Sequence, residues 1–173
     1  MKDIEEFKKY DNKTPYFKLI GVNDYCRVVD IYDGDTITIV LKIFDKMFYK
    51  FIVRLSGIDT CEIHSTNEDT KKIAIKSRNR LFELITNKKY DDFDFKTRKE
   101  VKEYFDENVF LLWVHCEDFD KYGRLLAKIF NDPQQKISFS EILIKEKLAY
   151  EYNGERKLTE DEQLLILQKE ESY

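Results

Sequence analysis

An α+β fold is predicted: a five-stranded β-barrel with about three main helices packed against it and a short extra helix in an insertion. Three observations carry the prediction. Three consecutive strand-like segments lie between about 25 and 57, the second with strict alternation of apolar residues, the pattern of a β-meander. A long helix-period segment then separates the meander from two further strand-like runs. Helical segments follow toward the end of the chain. The 173 residues suffice for one domain with a real core and fall short of two generous ones.

Taken in order, residues 1–22 read as a polar N-terminal arm broken by Pro15, and 23–173 as the domain. The run YCRVVDIY, from Tyr25, is the first strand. DTITIVLKI follows, with Ile37, Ile39, Leu41 and Ile43 on one side. FDKM is a turn, and FYKFIVRL returns as the third strand. STNEDTKKIAIKSRNRLFELI reads as a helix: Ser65 and Glu68 offer a capping box, and Ala74, Leu81, Leu84 and Ile85 share one face. Its other faces carry Lys71, Lys72, Lys76, Arg78 and Arg80, a solvated stripe or, alternatively, a positive wall beside an anionic substrate.

KKYDDFDFKTRKEVKEYFDEN, about 89–108, reads as an insertion in which Thr97 and Glu100 cap a short helix. VFLLWVHCE and RLLAKIF are the fourth and fifth strands around a tight DKYG turn. SFSEILIKEKLAY is a helix, and Thr159 with Glu162 caps a last one, EDEQLLILQKE. Five strands with an early meander and a helix between the third and fourth follow the order of an OB barrel. That architecture raises the prior for nucleic acid without establishing it.

Composition narrows the classes. Hydrophobic content of 42% and charged content of 37% fit a soluble domain with a densely charged surface. The net charge of −4 gives no global basic signature, so nucleic-acid binding requires a local positive patch. The three cysteines form no CxxC pair, and His64 and His115 lie far apart, so neither a disulfide framework nor a zinc site is expected. No apolar run reaches the length of a membrane span, and the charged start lacks the apolar core of a signal peptide. The expectation is an intracellular monomer with no membrane partner.

Three short segments carry the chemistry: Asp33-Gly34-Asp35-Thr36, the RLSGIDTCE run with Arg54, Asp59, Thr60 and Glu62, and DKYGR from Asp120 to Arg124. They hold three of the five glycines, which predicts tight backbone turns around one place. Asp35 starts the second strand and Asp59 lies just past the third, so an antiparallel meander brings the two carboxylates together. Such oxygen donors suit a hard cation, Ca²⁺ or Mg²⁺. Arg54 and Arg124 are forks that match phosphate oxygens, and Glu62 is placed to hold a water. Each feature has a plainer reading: Asp33 or Asp35 as turn residues, Arg54 paired with Glu62 on the surface, DKYGR as a hairpin turn.

In this order, on this strand and helix pattern, the three segments resemble the staphylococcal nuclease (thermonuclease) family over about residues 25–170. The resemblance implies an OB-fold nuclease that hydrolyses DNA and RNA, preferring unpaired regions, with Ca²⁺ rather than Mg²⁺. It implies calcium on the carboxylates of Asp35 and Asp59 and the backbone carbonyl of Thr60. Arg54 and Arg124 would contact the scissile phosphate, Glu62 would hold the attacking water as general base, and Lys121 and Tyr122 would hold a neighbouring phosphate. Attack would break the bond on the 5′-oxygen side and leave 3′-phosphate ends. Tyr152 is the favoured aromatic for base stacking, with a core tyrosine as the plain alternative.

Three departures from the family pattern stand out. Cys61 takes the place of the usual proline between Thr60 and Glu62, removing a φ restraint from that turn. The 89–108 insertion lengthens the path to Asp120 and would cover the site, bind a protein partner or be inert. Tyr150 and Tyr152 stand together where one stacking aromatic is expected. The rival reading is a catalytically silent binding or interaction module of the kind found in Tudor-associated relatives. Here every catalytic position carries the expected residue type.

Overall fold

The computed structural model describes residues 4–44 and 46–168. Within them, five long strands close a barrel in the order β1-β2-β3-β6-β5. β1 (Asn23–Ile31), β2 (Thr36–Ile43) and β3 (Met47–Leu55) form the antiparallel meander. β5 (Phe110–Phe119) and β6 (Leu125–Phe130) form a hairpin. β5 pairs antiparallel with β1, and β6 pairs parallel with β3 through Val53↔Leu125 and Leu55↔Ala127, which closes the sheet. Closure leaves no free edge on these five strands. The alternation in β2 is realised: Ile37, Ile39 and Leu41 point inward and are fully buried, with Val114 and Ile129 from the hairpin among them.

The long helix α2 runs from Glu68 to Thr86 and lays Ala74, Leu81, Phe82 and Ile85 against the barrel. Its N-cap is Asn67, whose side chain accepts from the N–H groups of Asp69 and Thr70. The expected capping box on Ser65 is therefore wrong by two positions: Ser65 precedes the cap, and its hydroxyl accepts from Asn67 N at 2.9 Å. The boxes at Thr97/Glu100 and Thr159/Glu162 are both formed, and Ser138 with Glu141 makes a third. They start α3 (Arg98–Glu107), α5 (Glu160–Leu167) and α4 (Phe139–Lys145) respectively. Residues 169 and 170 of the expected last helix, Asp45 of the FDKM turn and the last residues of the 23–173 domain lie outside the described residues.

Two elements were not anticipated. A four-residue helix, α1 (Ile4–Phe7), stands in the arm. A small antiparallel pair, β4 (Ile58–Asp59) with β7 (Tyr150–Glu151), lies beside the barrel. Both β4 and β7 are two residues long, too short to carry a periodic signal.

The insertion is part of the core. A 3₁₀ turn at Tyr90–Asp92 precedes α3, and Val101 and Phe105 of α3 are buried against β1. Phe82 of α2 meets Tyr90, Phe93, Phe95 and Phe105 at ring-centroid distances of 5.2, 5.4, 5.8 and 5.8 Å, all near edge-on. Edge-to-face pairs of this kind stabilise by about 0.5–1.5 kcal/mol each beyond the area they bury. Among the described residues, no helix is long and apolar enough to cross a membrane.

Candidate active site

The turn between β1 and β2 separates the roles of its two aspartates. Asp33 is the turn residue: its Oδ1 accepts from Asp35 N at 3.0 Å. Asp35 is the delivered carboxylate, 2% exposed, with its backbone carbonyl accepting from Leu55 N at 2.8 Å on β3. Gly34 serves close approach rather than a left-handed turn. A Cβ there would lie 2.6 Å from Ser77 Cβ and 3.0 Å from Thr60 Cγ2. Gly57 and Gly123 do adopt positive φ, at 80° and 82°.

Register places the other groups. Thr36 opposes Arg54 across β2 and β3, so the Arg54 side chain emerges beside Asp35. After the Gly57 turn, β4 returns Asp59 to the same spot. Arg54 Nη1 then donates to Asp35 Oδ1 at 2.6 Å, and Nη2 donates to Asp59 Oδ1 at 2.5 Å and to the Ile58 carbonyl at 3.2 Å. Asp35 also accepts from Thr36 Oγ1 at 2.9 Å and from Thr60 Oγ1 at 3.2 Å. The expected meeting of Asp35 and Asp59 is present, with the Arg54 fork between them.

One guanidinium is shared by the two buried carboxylates. Burial and the neighbouring Asp33 push the Asp35 carboxyl well above the usual range, against the pull of Arg54. Burial opposes the charge on Arg54 as well, but Asp35 and Asp59 outweigh it and raise its pKa. Both effects have one origin, namely negative charge concentrated where little of it is exposed.

Asp59 has two further partners that the sequence reading missed. Pairing of Asp59 with Tyr150 in β4 and β7 aims the buried Tyr150 hydroxyl at Asp59 Oδ2, to which it donates. Burial first, then that bond to the carboxylate, raises the Tyr150 pKa, so the phenol stays a donor. Gln163 of α5 donates to the Tyr150 oxygen at 3.4 Å and to the Leu158 carbonyl at 2.9 Å. Lys157 Nζ stands 3.4 Å from Asp59 Oδ2 and donates to Glu62 Oε1. Burial works against the Lys157 ammonium, but Glu62 and Asp59 outweigh it and raise its pKa.

Glu62 is exposed, and Lys157 is its ion-pair partner in place of the Arg54 bridge considered above. Cys61, at the position of the missing proline, is 1% exposed and packs with Ala74, Tyr150 and Leu167. Burial and the nearby Asp59 push its thiol up to about 11, so it behaves as a small apolar residue. The DKYGR turn is stapled by Asp120, which accepts from Tyr122 N and Arg124 N at 2.9 Å each and from Arg124 Nε at 2.7 Å. Lys121 Nζ lies 5.1 Å and Arg124 Cζ 5.6 Å from the centroid of the exposed Tyr122 ring.

All nine residues singled out from the sequence, Asp35, Arg54, Asp59, Thr60, Glu62, Lys121, Tyr122, Arg124 and Tyr152, line one cleft of about 770 Å³. Tyr152 lies in the cleft with Arg54 Cζ 5.9 Å from its ring centroid, and its N–H donates to the Gly57 carbonyl at 3.0 Å. Tyr150, two residues back and within β7, is buried, with its hydroxyl turned to Asp59. None of Lys71, Lys72, Lys76, Arg78 or Arg80 lines the cleft. Lys71, Lys72 and Arg80 pair with acidic neighbours, as a solvated stripe does. Lys157 and, from the insertion, Arg98 are cleft residues that the sequence reading did not pick out. Both sit in stretches whose charge pattern resembles ordinary surface.

Among the described residues, no group of three or more His, Cys, Asp and Glu side chains is placed to hold a metal ion. The donor set for a hard cation is thus two carboxylates, to be completed by a backbone carbonyl and water. The Arg54 fork spans the two carboxylates, with one terminal nitrogen on each.

No curated protein matches the chain. A family model described as Staphylococcal nuclease homologue matches residues 52–172. The match begins within β3, so the DGDT turn lies upstream of it, and the barrel register brings Asp35 to the matched residues. With more than half of its length matched, the closed five-stranded barrel and the gathered cleft, the chain belongs to the staphylococcal nuclease family.

Proposed function

We propose that this chain is a calcium-dependent endonuclease that hydrolyses DNA and RNA, favouring unpaired strands, and leaves 3′-phosphate ends. The observation that carries the reading is the pair of buried carboxylates, Asp35 and Asp59, bridged by Arg54 in a cleft that also holds Glu62, Arg124 and Lys121. Asp35, Asp59 and the Thr60 carbonyl would hold calcium, an oxygen donor set suited to a hard ion. The ion supplies Lewis acidity that polarises a phosphoryl oxygen.

The remaining chemistry belongs to side chains. Glu62 accepts the proton of the attacking water. Arg124, braced by Asp120, offers its guanidinium to the phosphoryl oxygens, where charge grows in the transition state. Arg54 is engaged at both ends by carboxylates, so it turns to phosphate only when another cation takes its place on Asp35 and Asp59. Lys121 and Tyr122 hold the next phosphate, and the Tyr152 ring offers a face to a base. The leaving 5′-oxygen departs on the downstream fragment and takes up a proton from solvent.

The test is incubation of purified protein with single-stranded DNA and with RNA, in calcium and then in chelator, beside Glu62→Gln. Cleavage that chelator abolishes is expected, with Glu62→Gln slower by roughly 10²–10⁴-fold, the usual contribution of a general base. Absence of chelator-sensitive cleavage by the wild type sinks the nuclease reading. Equal rates for Glu62→Gln would remove Glu62 from the base role alone.

A further inference from the structure

The insertion reaches the cleft through one side chain. Arg98, the first residue of α3, lines it together with Tyr32 from the β1–β2 turn. The Arg98 guanidinium binds Asp30 through Nε at 3.3 Å and through Nη2. Its Cζ lies 4.7 Å from the centroid of the Tyr32 ring, within cation–π range. A bulge between Val28 and Asp30 shifts the register of β1 just before these residues. The Tyr32 ring is 45% exposed although it stands on the first ordered turn of the barrel.

An anchor for the insertion needs only the Asp30–Arg98 pair. It does not need an exposed aromatic ring against the guanidinium, nor a place in the cleft. General charge does not explain the arrangement either, because the 89–108 segment carries seven acidic residues against five basic ones. Asp30 already balances the charge of Arg98, so little is left over for a phosphate. What remains is an exposed ring with a braced guanidinium over one face, and the outward faces of that stack are of the kind on which unpaired bases stack.

From this geometry we infer that Tyr32 and Arg98 form a nucleobase-stacking subsite for a nucleotide beyond those held at Arg124, Lys121 and Tyr152. The subsite extends the cleft along a single strand toward the insertion, and it rests on the nuclease reading above. It gives the insertion a role that the bare barrel lacks: α3 delivers half of the stacking surface. The ligand class is single-stranded DNA or RNA of several nucleotides, and a single nucleotide bisphosphate is too short to use it.

The test measures binding, so it does not depend on turnover. Fluorescein-labelled oligothymidylate of about eight nucleotides, a length within single-strand site sizes, is titrated in calcium against Glu62→Gln protein. The same titration is made with Tyr32→Ala and with Arg98→Lys added to that background. Tyr32→Ala keeps the Asp30–Arg98 pair, and Arg98→Lys keeps a cation beside Asp30 while losing the plane. Each is expected to weaken binding by about 5- to 100-fold, the span of base–aromatic stacking. The slope of affinity against salt stays unchanged, because no phosphate contact is lost. Thymidine 3′,5′-bisphosphate binds all three proteins alike.

Unchanged oligonucleotide affinity in both variants overturns the subsite while the nuclease reading stands. An equal loss for the bisphosphate, or a lower salt slope, overturns the stacking assignment. If the parent protein binds no oligonucleotide and the wild type cleaves none, the nuclease reading falls and the subsite with it. Thermal melts of both variants identify a folding loss, and the variant that keeps its melt decides the matter.

Discussion

Replacing Tyr150 by Phe removes one hydroxyl from the site and leaves the packing in place. Asp59 is 1% exposed and Tyr150 4%, so the lost donor leaves a gap in a largely buried contact. A hydrogen bond to an ionised acceptor contributes about 1.5–3 kcal/mol. Asp59 keeps Arg54 and Lys157 after the change, which puts the cost at the lower end, about 2 kcal/mol. For a domain of this length, 1 kcal/mol corresponds to about 2–4 °C, so Tm should fall by about 4–8 °C. The assay is thermal unfolding of metal-free protein near neutral pH, with Tyr152→Phe as the comparison. Tyr152 lies in the cleft rather than against Asp59, and its change should stay within about 0.5 kcal/mol. A Tyr150→Phe melt within about 1 °C of wild type would refute the reasoning that Tyr150 holds Asp59.

Gly34→Ala places a methyl 2.6 Å from Ser77 Cβ and should destabilise by about 1–3 kcal/mol in urea unfolding; unchanged stability would mean that the turn moves aside freely. The raised Asp35 pKa, about 7, would give the proposed calcium binding a pH dependence. Above that pH the carboxylate is already ionised and affinity levels off, whereas below it calcium must displace a proton. Affinity measured by calorimetry should therefore fall as pH drops, by up to about tenfold per unit, and a flat profile would contradict the shift. Lys157→Met removes a positive charge 3.4 Å from Asp59 Oδ2 and should tighten calcium binding by about 3- to 10-fold, an effect the size of a partly screened ion pair. The same variant loses the partner of Glu62, so kcat should fall; weaker calcium binding instead would show that Lys157 orients Asp59 rather than competing with the ion.

The barrel was legible because its strands are long and alternate. Ile37, Ile39 and Leu41 mark an inward face over enough residues to exclude a helix, and the meander then follows from short turns. Asp35 and Asp59 were legible as a pair because antiparallel neighbours put one strand's start beside the other's end. The rest lies in long-range contacts with no local signature. Tyr150 reaches Asp59 through a two-residue strand pair formed across 91 positions. Lys157 reaches Glu62 across 95. Gly34 resembles a turn glycine in sequence, yet its space is limited by a helix residue 43 positions away, Ser77. The Asn67 cap was missed because Ser65 and Asn67 both precede an acidic first turn, and side-chain geometry alone distinguishes them.

The charge balance of the cleft resolves the conflict between an acidic chain and a polyanionic substrate. Arg54, Arg98, Lys121, Arg124 and Lys157 face Asp33, Asp35, Asp59 and Glu62, and Arg98 and Arg124 are paired besides with Asp30 and Asp120. Without metal the cleft is close to neutral, and its best-placed guanidinium, Arg54, is spent on Asp35 and Asp59. A divalent cation on those carboxylates would shift the cleft by two charges and release Arg54 in the same event. Anion capture would then depend on the metal more than on the chain's own surface. Long-range attraction would still be opposed by the net charge of −4, so affinity has to come from short-range contacts inside the cleft. Stacking on Tyr152 and on the Tyr32–Arg98 surface is the kind of contact that does not lose strength with salt. An acidic chain that acts on nucleic acid as proposed would have reason to place aromatic faces along the path of the strand, and Tyr32, Tyr122 and Tyr152 all line this cleft.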